Sequence, residues 1–306
     1  MNPYLNQFNQ LNFDHITKHP NILIAAAFWD EERFQAACLC YKYMRAIDDL
    51  VDCHKPVHVL ISESDKKLFT HTVKNWVDLA REAKNSQVPE EELLQTIRKF
   101  HIPMWPLEAF AQSMIYDINH NGFASIADFI HYSQGASVAP ASIFMHLCGV
   151  TKQNGKYLPP AFDVKAVATP CAIFSYLVHI IRDFQKDQQE NLNYFAEEVI
   201  VKNGLTTAAL RQIADGGEIP QGFREMIREY YNLAEEYRQK TAAIIQKIGP
   251  TLEPPYRLSL QIIFNLYLLV FEKIDVENGR FTARELTPTP EETKQRVYET
   301  ILNFKN

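Results

Sequence analysis

The sequence predicts an all-α protein built as one domain, and three observations carry that reading. Glycine is scarce, at ten of 306 residues, and no Gly-x-Gly-x-x-Gly or phosphate-loop pattern occurs, which argues against a doubly wound nucleotide-binding sheet. Apolar residues recur at helical spacing along most of the chain. No repeat of solenoid period and no long low-complexity linker interrupts residues 1–306, so a single domain is preferred.

The first long helical pattern covers 31–53, with Asp30 placed to cap it. Further patterns cover 63–85, 90–100 and 104–119. Ser125 caps the next, 126–148, within which Pro140 should kink or delimit the helix. The same holds for Pro170 within 164–190. A short helix over 206–214 follows a stop at Asn203-Gly204, and the next, 221–248, stops at Gly249-Pro250. Two more are expected over 256–275 and 290–304. Thr289-Pro290-Glu291-Glu292 opens the last with an N-cap, a proline at the first helical position and a capping-box glutamate.

Composition narrows the function. Hydrophobic residues make up 46% and charged residues 22%, ordinary globular values. A net charge of −6 argues against nucleic acid as the main partner, and any anionic substrate needs local cations. The five cysteines, Cys38, Cys40, Cys53, Cys148 and Cys171, sit in apolar helical contexts without a Cys-x-x-Cys pair, as in a reduced cytosolic protein with buried thiols. Met1 to Lys18 is polar and does not resemble a targeting segment. The longest apolar stretch, Leu258 to Phe271, is broken by Ser259, Gln261 and Asn265 and is too short to span a bilayer. The expectation is a cytoplasmic protein without a transmembrane segment, with room for peripheral membrane contact. His54-x-x-x-His58 has zinc-like spacing, but Pro56 prevents a regular helix there.

Two acidic stretches point to chemistry: Arg45-Ala46-Ile47-Asp48-Asp49-Leu50-Val51-Asp52 and Arg182-Asp183-Phe184-Gln185-Lys186-Asp187. On a helix Tyr41, Arg45, Asp48 and Asp52 share roughly 60° of arc, and Tyr176, His179, Asp183 and Asp187 roughly 80°. A lone Asp-x-x-x-Asp is usually a solvated face. Here both lie in helices whose flanks, Ala36 to Tyr41 and Cys171 to Val178, are apolar nearly all round. Facing carboxylate pairs repel strongly unless divalent cations sit between them. Oxygen-only ligands suit magnesium, which takes one or two carboxylates and completes its shell with water and phosphate. The pattern predicts a helical enzyme that grips a diphosphate through magnesium.

Tyr41 to Asp52 closely resembles the first aspartate-rich signature of the squalene/phytoene synthase family, Tyr-x-x-x-Arg-x-x-Asp-x-x-x-Asp. His179 to Gln189 resembles the second, Asn-x-x-Arg-Asp-x-x-x-Asp, and Tyr132 to Val138 looks like the Tyr-Cys-x-x-Val-Ala-Gly segment between them. Asp117 falls where a further family aspartate lies. The resemblance runs from about residue 15 to about 300. It implies an isoprenoid synthase fold, a helical bundle around a central cavity, and head-to-head coupling of two allylic diphosphates, farnesyl or geranylgeranyl, through a cyclopropyl diphosphate. It further implies magnesium held by Asp48, Asp52, Asp183 and Asp187, with Arg45 donating to phosphate. Tyr132 would transfer a proton, and Tyr41, Tyr176 and Arg182 would contact substrate. Aromatics such as Phe174, Phe184, Tyr176 and Phe264 would shield the carbocation.

The sequence departs from the family pattern at several of these positions. His179 replaces the usual asparagine beside the metal and is a further candidate ligand, since imidazole can bind metal, although it suits softer ions than magnesium. Leu192 replaces the arginine of the Gly-Arg-x-Tyr segment, although Tyr194 remains, and this weakens the case for NADPH as a reductant. Near the N-terminus Asn21-Ile22 replaces Ser-Phe, similar to bacterial members that act on presqualene diphosphate, and Lys18, His19 and Asn21 become candidate phosphate donors. Gln134 and Ser137-Val138 also differ. The alternatives are a same-fold enzyme with other chemistry (hydroxysqualene formation, terpene cyclisation, another prenyl acceptor) or a non-enzymatic assembly factor, against which the surviving aspartates count.

Overall fold

A computed structural model describes residues 3–16, 18–52, 62–82 and 88–305, with the side chains of 51, 52, 82 and 88–91 outside the description. His54, Pro56 and His58 therefore lie outside the described residues, as does Cys53.

Three short helices, α1 (Pro3–Gln10), α2 (Phe13–Ile16) and α3 (Asn21–Ala26), precede the long α4 (Glu31–Asp52). Asp30 opens α4 as expected, its carboxylate accepting from the Arg33 amide at 3.1 Å. There follow α5 (Glu63–Glu82), α6 (Val88–Phe100), α7 (Trp105–Asn119) and α8 (Ile126–Ser133), the last started by a Ser125–Asp128 capping box. The predicted helix over 126–148 is not continuous. A π-helical turn, Gln134–Val138, intervenes before α9 (Ala139–Gly149), which begins with Pro140 in its first turn. The cause is a close approach of α7. A Cβ on Gly135 would stand 2.1 Å from the Ala109 carbonyl oxygen, so the chain bulges where α7 crosses.

A hairpin follows, β1 (Thr151–Gln153) and β2 (Lys156–Leu158), turning on Asn154 and Gly155, both at positive φ. A helix-only reading passes over it, although Asn-Gly between short runs is the strongest local hairpin signal. Then α10 (Val164–Arg182), capped by Asp163, continues through Pro170 without ending. The expected helix over 164–190 breaks at Asp183, and α11 (Phe184–Gln189) carries on from it. Next come α12 (Glu197–Lys202), closed by Gly204 at φ +69°, α13 (Thr207–Ala214) and α14 (Gln221–Ile248). Gly249 ends α14 in right-handed geometry and leads into a 3₁₀ turn. The chain finishes with α15 (Pro254–Phe271), α16 (Ala283–Leu286) and α17 (Pro290–Asn303), the last opened by the expected Thr289–Glu292 capping box.

Two apolar cores result. One joins α3–α7, α9, α15 and α17; the other joins α8 and α10–α14 with the end of α15. Ala141 and Tyr267 pack against both, so the seam between the cores runs past them. α10 is long and apolar enough to cross a membrane by length and composition alone. Its residues Ile173, Phe174, Leu177, Val178 and Ile181 are fully enclosed by protein, and it packs along α14, α9 and α15.

Candidate active site

A cavity of about 660 Å³ opens at the seam, walled by α4, α7, α9, α10 and α15. It is sharply two-ended. The C-terminal ends of α4 and α10 bring Arg45, Asp48, Asp49 and Asp183 to its mouth, and α11 adds Asp187 and Glu190. Towards the N-terminal ends of the same helices the wall turns apolar, through Ala37, Cys40, Cys171, Phe144 and Leu147. Helix C-termini carry partial negative charge, so carboxylates added there create a strongly cation-seeking mouth.

Each acidic stretch already holds an arginine. On α4, Arg45 donates 2.6 Å bonds from Nη1 to Asp48 and from Nη2 to Asp49. At the end of α10, Arg182 donates Nε and Nη2 to the two oxygens of Asp183, at 2.7 and 2.6 Å. Burial pulls the Asp183 carboxyl up, but this fork and the charge of Arg182 outweigh it and leave it below the usual range. The helix break at Asp183 does not disperse the motif. The Asp187 amide still donates to the Asp183 carbonyl at 2.8 Å, which keeps Asp187 on the cavity face.

His179 lines the wall with its ring edge-on to Tyr267 at 5.2 Å. Burial, helped by Arg182, pushes the imidazole down to about 3, so it is neutral at physiological pH. Tyr132 is buried in the wall and donates its hydroxyl to Asp117 Oδ2 at 2.5 Å. Phe123 at 5.0 Å, Tyr116 at 5.5 Å and Tyr176 at 6.2 Å fix its ring. Desolvation, reinforced by Asp117, drives the phenol well above its ordinary value, so the proton stays on Tyr132. The π-helical turn serves this arrangement. The Tyr132 carbonyl accepts from Ser113 at 2.8 Å, and Ser137 reaches across to the Ala172 carbonyl at 2.8 Å.

Of the residues singled out by sequence, the structure brings Tyr41, Arg45, Asp48, Tyr132, Tyr176, His179, Asp183 and Asp187 to one cavity. The Asp52 side chain lies outside the described residues. Arg182 stands behind Asp183. Lys18 is exposed, and His19 and Asn21 do not reach the wall, where Pro20 and Ile22 stand instead. The expected aromatic lining is corrected in part. Phe174 and Phe184 point into the second core, against Phe264 and Phe271 and against Phe195 and Phe223. Phe264 borders a separate shallow groove, because successive positions on α15 are turned by about 100° and Ile263 takes the cavity side. Sequence reading passed over Lys186, Glu190 and Tyr267. The first two lie within two turns of Asp183: Lys186 is inside the acidic stretch itself, and Glu190 is one turn past Asp187 on the same projection.

The donors at the mouth suit magnesium. They are oxygens, and the thiols of Cys40 and Cys171 lie towards the other end. Among the described residues no three His, Cys, Asp or Glu side chains form a ready-made cage. Magnesium does not require one, since water and phosphate complete its shell.

A squalene/phytoene synthase family model matches residues 17–292, nearly the whole chain. The chain belongs to the squalene/phytoene synthase family. Its members are prenyltransferases that join prenyl diphosphates head to head and are generally magnesium-dependent. No curated protein matches the sequence. Solved structures match the fold. A dehydrosqualene synthase in complex with a ligand aligns over 97% of this chain and 96% of its own, at 15% identity and a TM-score of 0.69. The squalene synthase HpnC of Alicyclobacillus acidocaldarius aligns over 85% and 89%, at 13% identity and TM-score 0.64. YisP of Bacillus subtilis aligns over 96% and 95%, at 15% identity and TM-score 0.62. The fold is therefore that of the isoprenoid synthases, as the family resemblance implied.

Proposed function

We propose that this family member couples two allylic prenyl diphosphates, farnesyl or geranylgeranyl, through a cyclopropyl diphosphate, with magnesium-assisted release of diphosphate. The observation that carries the proposal is the two-ended cavity: carboxylates from both acidic stretches meet at one mouth, and an apolar chamber lies behind them. That is the complement of an allylic diphosphate, a multiply charged head on a hydrocarbon tail.

Asp48 and Asp183, with Asp52 and Asp187, would hold the magnesium. When bound, the ion neutralises charge on the departing diphosphate. The rest falls to the protein. Arg182 keeps Asp183 ionised, Arg45 ties Asp48 and Asp49 at the mouth, and as planar forks both arginines can pass bonds to phosphate oxygens. The apolar chamber excludes the water that would quench an allylic cation. Tyr132 holds its proton in the bond to Asp117 and presents its Oη beside Tyr176, where proton transfer would pass between substrate and that carboxylate.

The test is incubation of the purified chain with farnesyl or geranylgeranyl diphosphate and magnesium, with and without NADPH, followed by lipid analysis. Presqualene diphosphate, or an alcohol or hydrocarbon derived from it, is expected. No consumption of any prenyl diphosphate would overturn the proposal in favour of an assembly role.

A further inference from the structure

The far end of the cavity is closed by a backed wall. Because α4 and α10 both present their carboxylates at their C-terminal ends, depth from the mouth can be read as helical rise. At about 1.5 Å per residue, Asp48 to Ala37 on α4 is ~16 Å and Asp183 to Cys171 on α10 is ~18 Å. Phe144, from α9, lines the chamber and lies against Trp29, ring centroids 4.7 Å apart. Trp29 immediately precedes α4, so this contact sits at the end opposite the carboxylates.

Trp29 cannot easily yield. It is buried, and its indole N–H donates to Ser259 Oγ, itself bonded to the Pro255 carbonyl. Its other neighbour is Tyr256, edge-on at 5.9 Å, whose hydroxyl donates to Asp30 at 2.7 Å. Over Tyr256, 4.0 Å from the ring centre, lies the guanidinium of Arg33, only 2% exposed. Its Nε and Nη1 are buried and make no hydrogen bond, and its charge is balanced by Asp30, whose Oδ2 stands 3.6 Å from Nε. A hydrocarbon pushed past Phe144 would have to displace a pinned indole and then meet a buried charge, which costs far more than apolar contact returns.

We infer that Phe144 is the stop that sets the isoprenoid length at fifteen carbons, an inference that rests on the prenyl diphosphate reading above. A fully extended chain advances about 1.2 Å per bond, on the scale of an extended backbone. The twelve-carbon main chain of a farnesyl group then spans ~13 Å, and the sixteen-carbon main chain of a geranylgeranyl group ~18 Å. With the diphosphate and its metal occupying the mouth, the first fits and the second meets the Phe144 ring. Truncating that ring leaves a hole of roughly one isoprene unit, because a wall so braced does not collapse into it.

The experiment compares kcat/KM for farnesyl and geranylgeranyl diphosphate, with magnesium, in the wild-type chain, Phe144→Ala and Phe144→Leu. The wild type should favour farnesyl diphosphate at least tenfold. Phe144→Ala should move that ratio at least tenfold towards geranylgeranyl diphosphate and yield forty-carbon products. Phe144→Leu keeps most of the volume, and should move it about threefold in the same direction. A wild-type ratio in a folded Phe144→Ala, or in Phe144→Leu where the alanine variant does not fold, overturns the inference, as does a wild type indifferent to length. If the wild type couples farnesyl diphosphate but the ratio never moves, only the stop is lost. If it consumes neither substrate, the coupling reading fails and takes the stop with it.

Discussion

On α4, Arg45 splits its two bonds between Asp48 and Asp49, with 46% of its side chain exposed; at the end of α10, Arg182 gives both bonds to Asp183 and is 22% exposed. The two acidic ends face one cavity and carry the same residue types, yet they are held to different degrees. Asp183 is gripped on both oxygens at a helix break, in partly buried surroundings. Asp48 sits on a continuous helix and shares its arginine with Asp49. The two aspartates are similarly exposed, at 26% and 33%, so the difference lies in the arginines: a half-exposed guanidinium divided between two carboxylates rearranges more easily than a partly buried fork closed on one. The α10 end is thus the fixed half of the mouth, and the α4 end the adaptable half.

Asparagine substitutions break that comparison most directly. Asp183→Asn removes a metal ligand and also leaves Arg182 without its counter-charge. Turnover should fall about 10³-fold or more, on the scale of electrostatic contributions to catalysis. Stability should fall by about 1–3 kcal/mol, a loss of a few degrees in Tm. Asp48→Asn should cut turnover by about 10²–10³-fold while leaving Tm close to wild type. Steady-state kinetics across magnesium concentrations, with thermal melts, check both. Equal melting losses would remove the distinction between the two ends, and near-normal activity in either variant would remove that pair from the metal site.

Tyr132 offers a sharper cut on the fixed side. Tyr132→Phe keeps the ring among Phe123, Tyr116 and Tyr176 and deletes only the hydroxyl bonded to Asp117. A proton-transfer role predicts about 10²-fold slower turnover with the fold intact. An unchanged rate and product spectrum would reduce Tyr132 to packing.

Much of this difference could not be read from sequence. Helical period gave the long helices, and the spacing of Asp48, Asp52, Asp183 and Asp187 gave two carboxylate faces, because both depend on local geometry alone. The π-helical turn after Tyr132 was hidden, since it arises where α7 presses on Gly135, a contact between distant segments. So was the break at Asp183, which no proline or glycine announces. Which aromatics face the cavity was equally hidden: Phe174 and Tyr176 lie two residues apart on α10, yet one fills the core and the other lines the wall.

Acid should also separate the two ends. The folded Asp183 carboxyl lies below its unfolded value because Arg182 favours the charged form. Its contribution is therefore complete above the unfolded carboxylate range, near pH 4, and is lost as pH falls through the lower folded value. Wild-type stability should drop more steeply below about pH 4 than that of Asp183→Asn. Parallel acid melts in urea would deny the fork that role.

The smallest expected effect concerns NADPH and follows from what stands next to the fixed end. Leu192 occupies the place where the family pattern has an arginine. It is 7% exposed, with its side chain in the cavity wall and its backbone tied down: the amide donates to the Asp187 carbonyl at 2.8 Å, and the carbonyl accepts from Gln188 at 3.1 Å. A leucine there supplies no donor to a second diphosphate or to a dinucleotide phosphate, and neither lysine nor water reproduces an arginine fork. The first half-reaction relies on groups that are present, the aspartates and Arg45. Farnesyl diphosphate and magnesium alone should therefore give presqualene diphosphate or an alcohol derived from it, and added NADPH should change the products by less than about twofold. Leu192→Arg should raise that dependence, because it restores a charged fork beside Asp187 and Tyr194. Clean, NADPH-dependent conversion to squalene by the wild type would show that the reductive step needs no arginine at this position, and that Leu192 marks a change of packing rather than of chemistry.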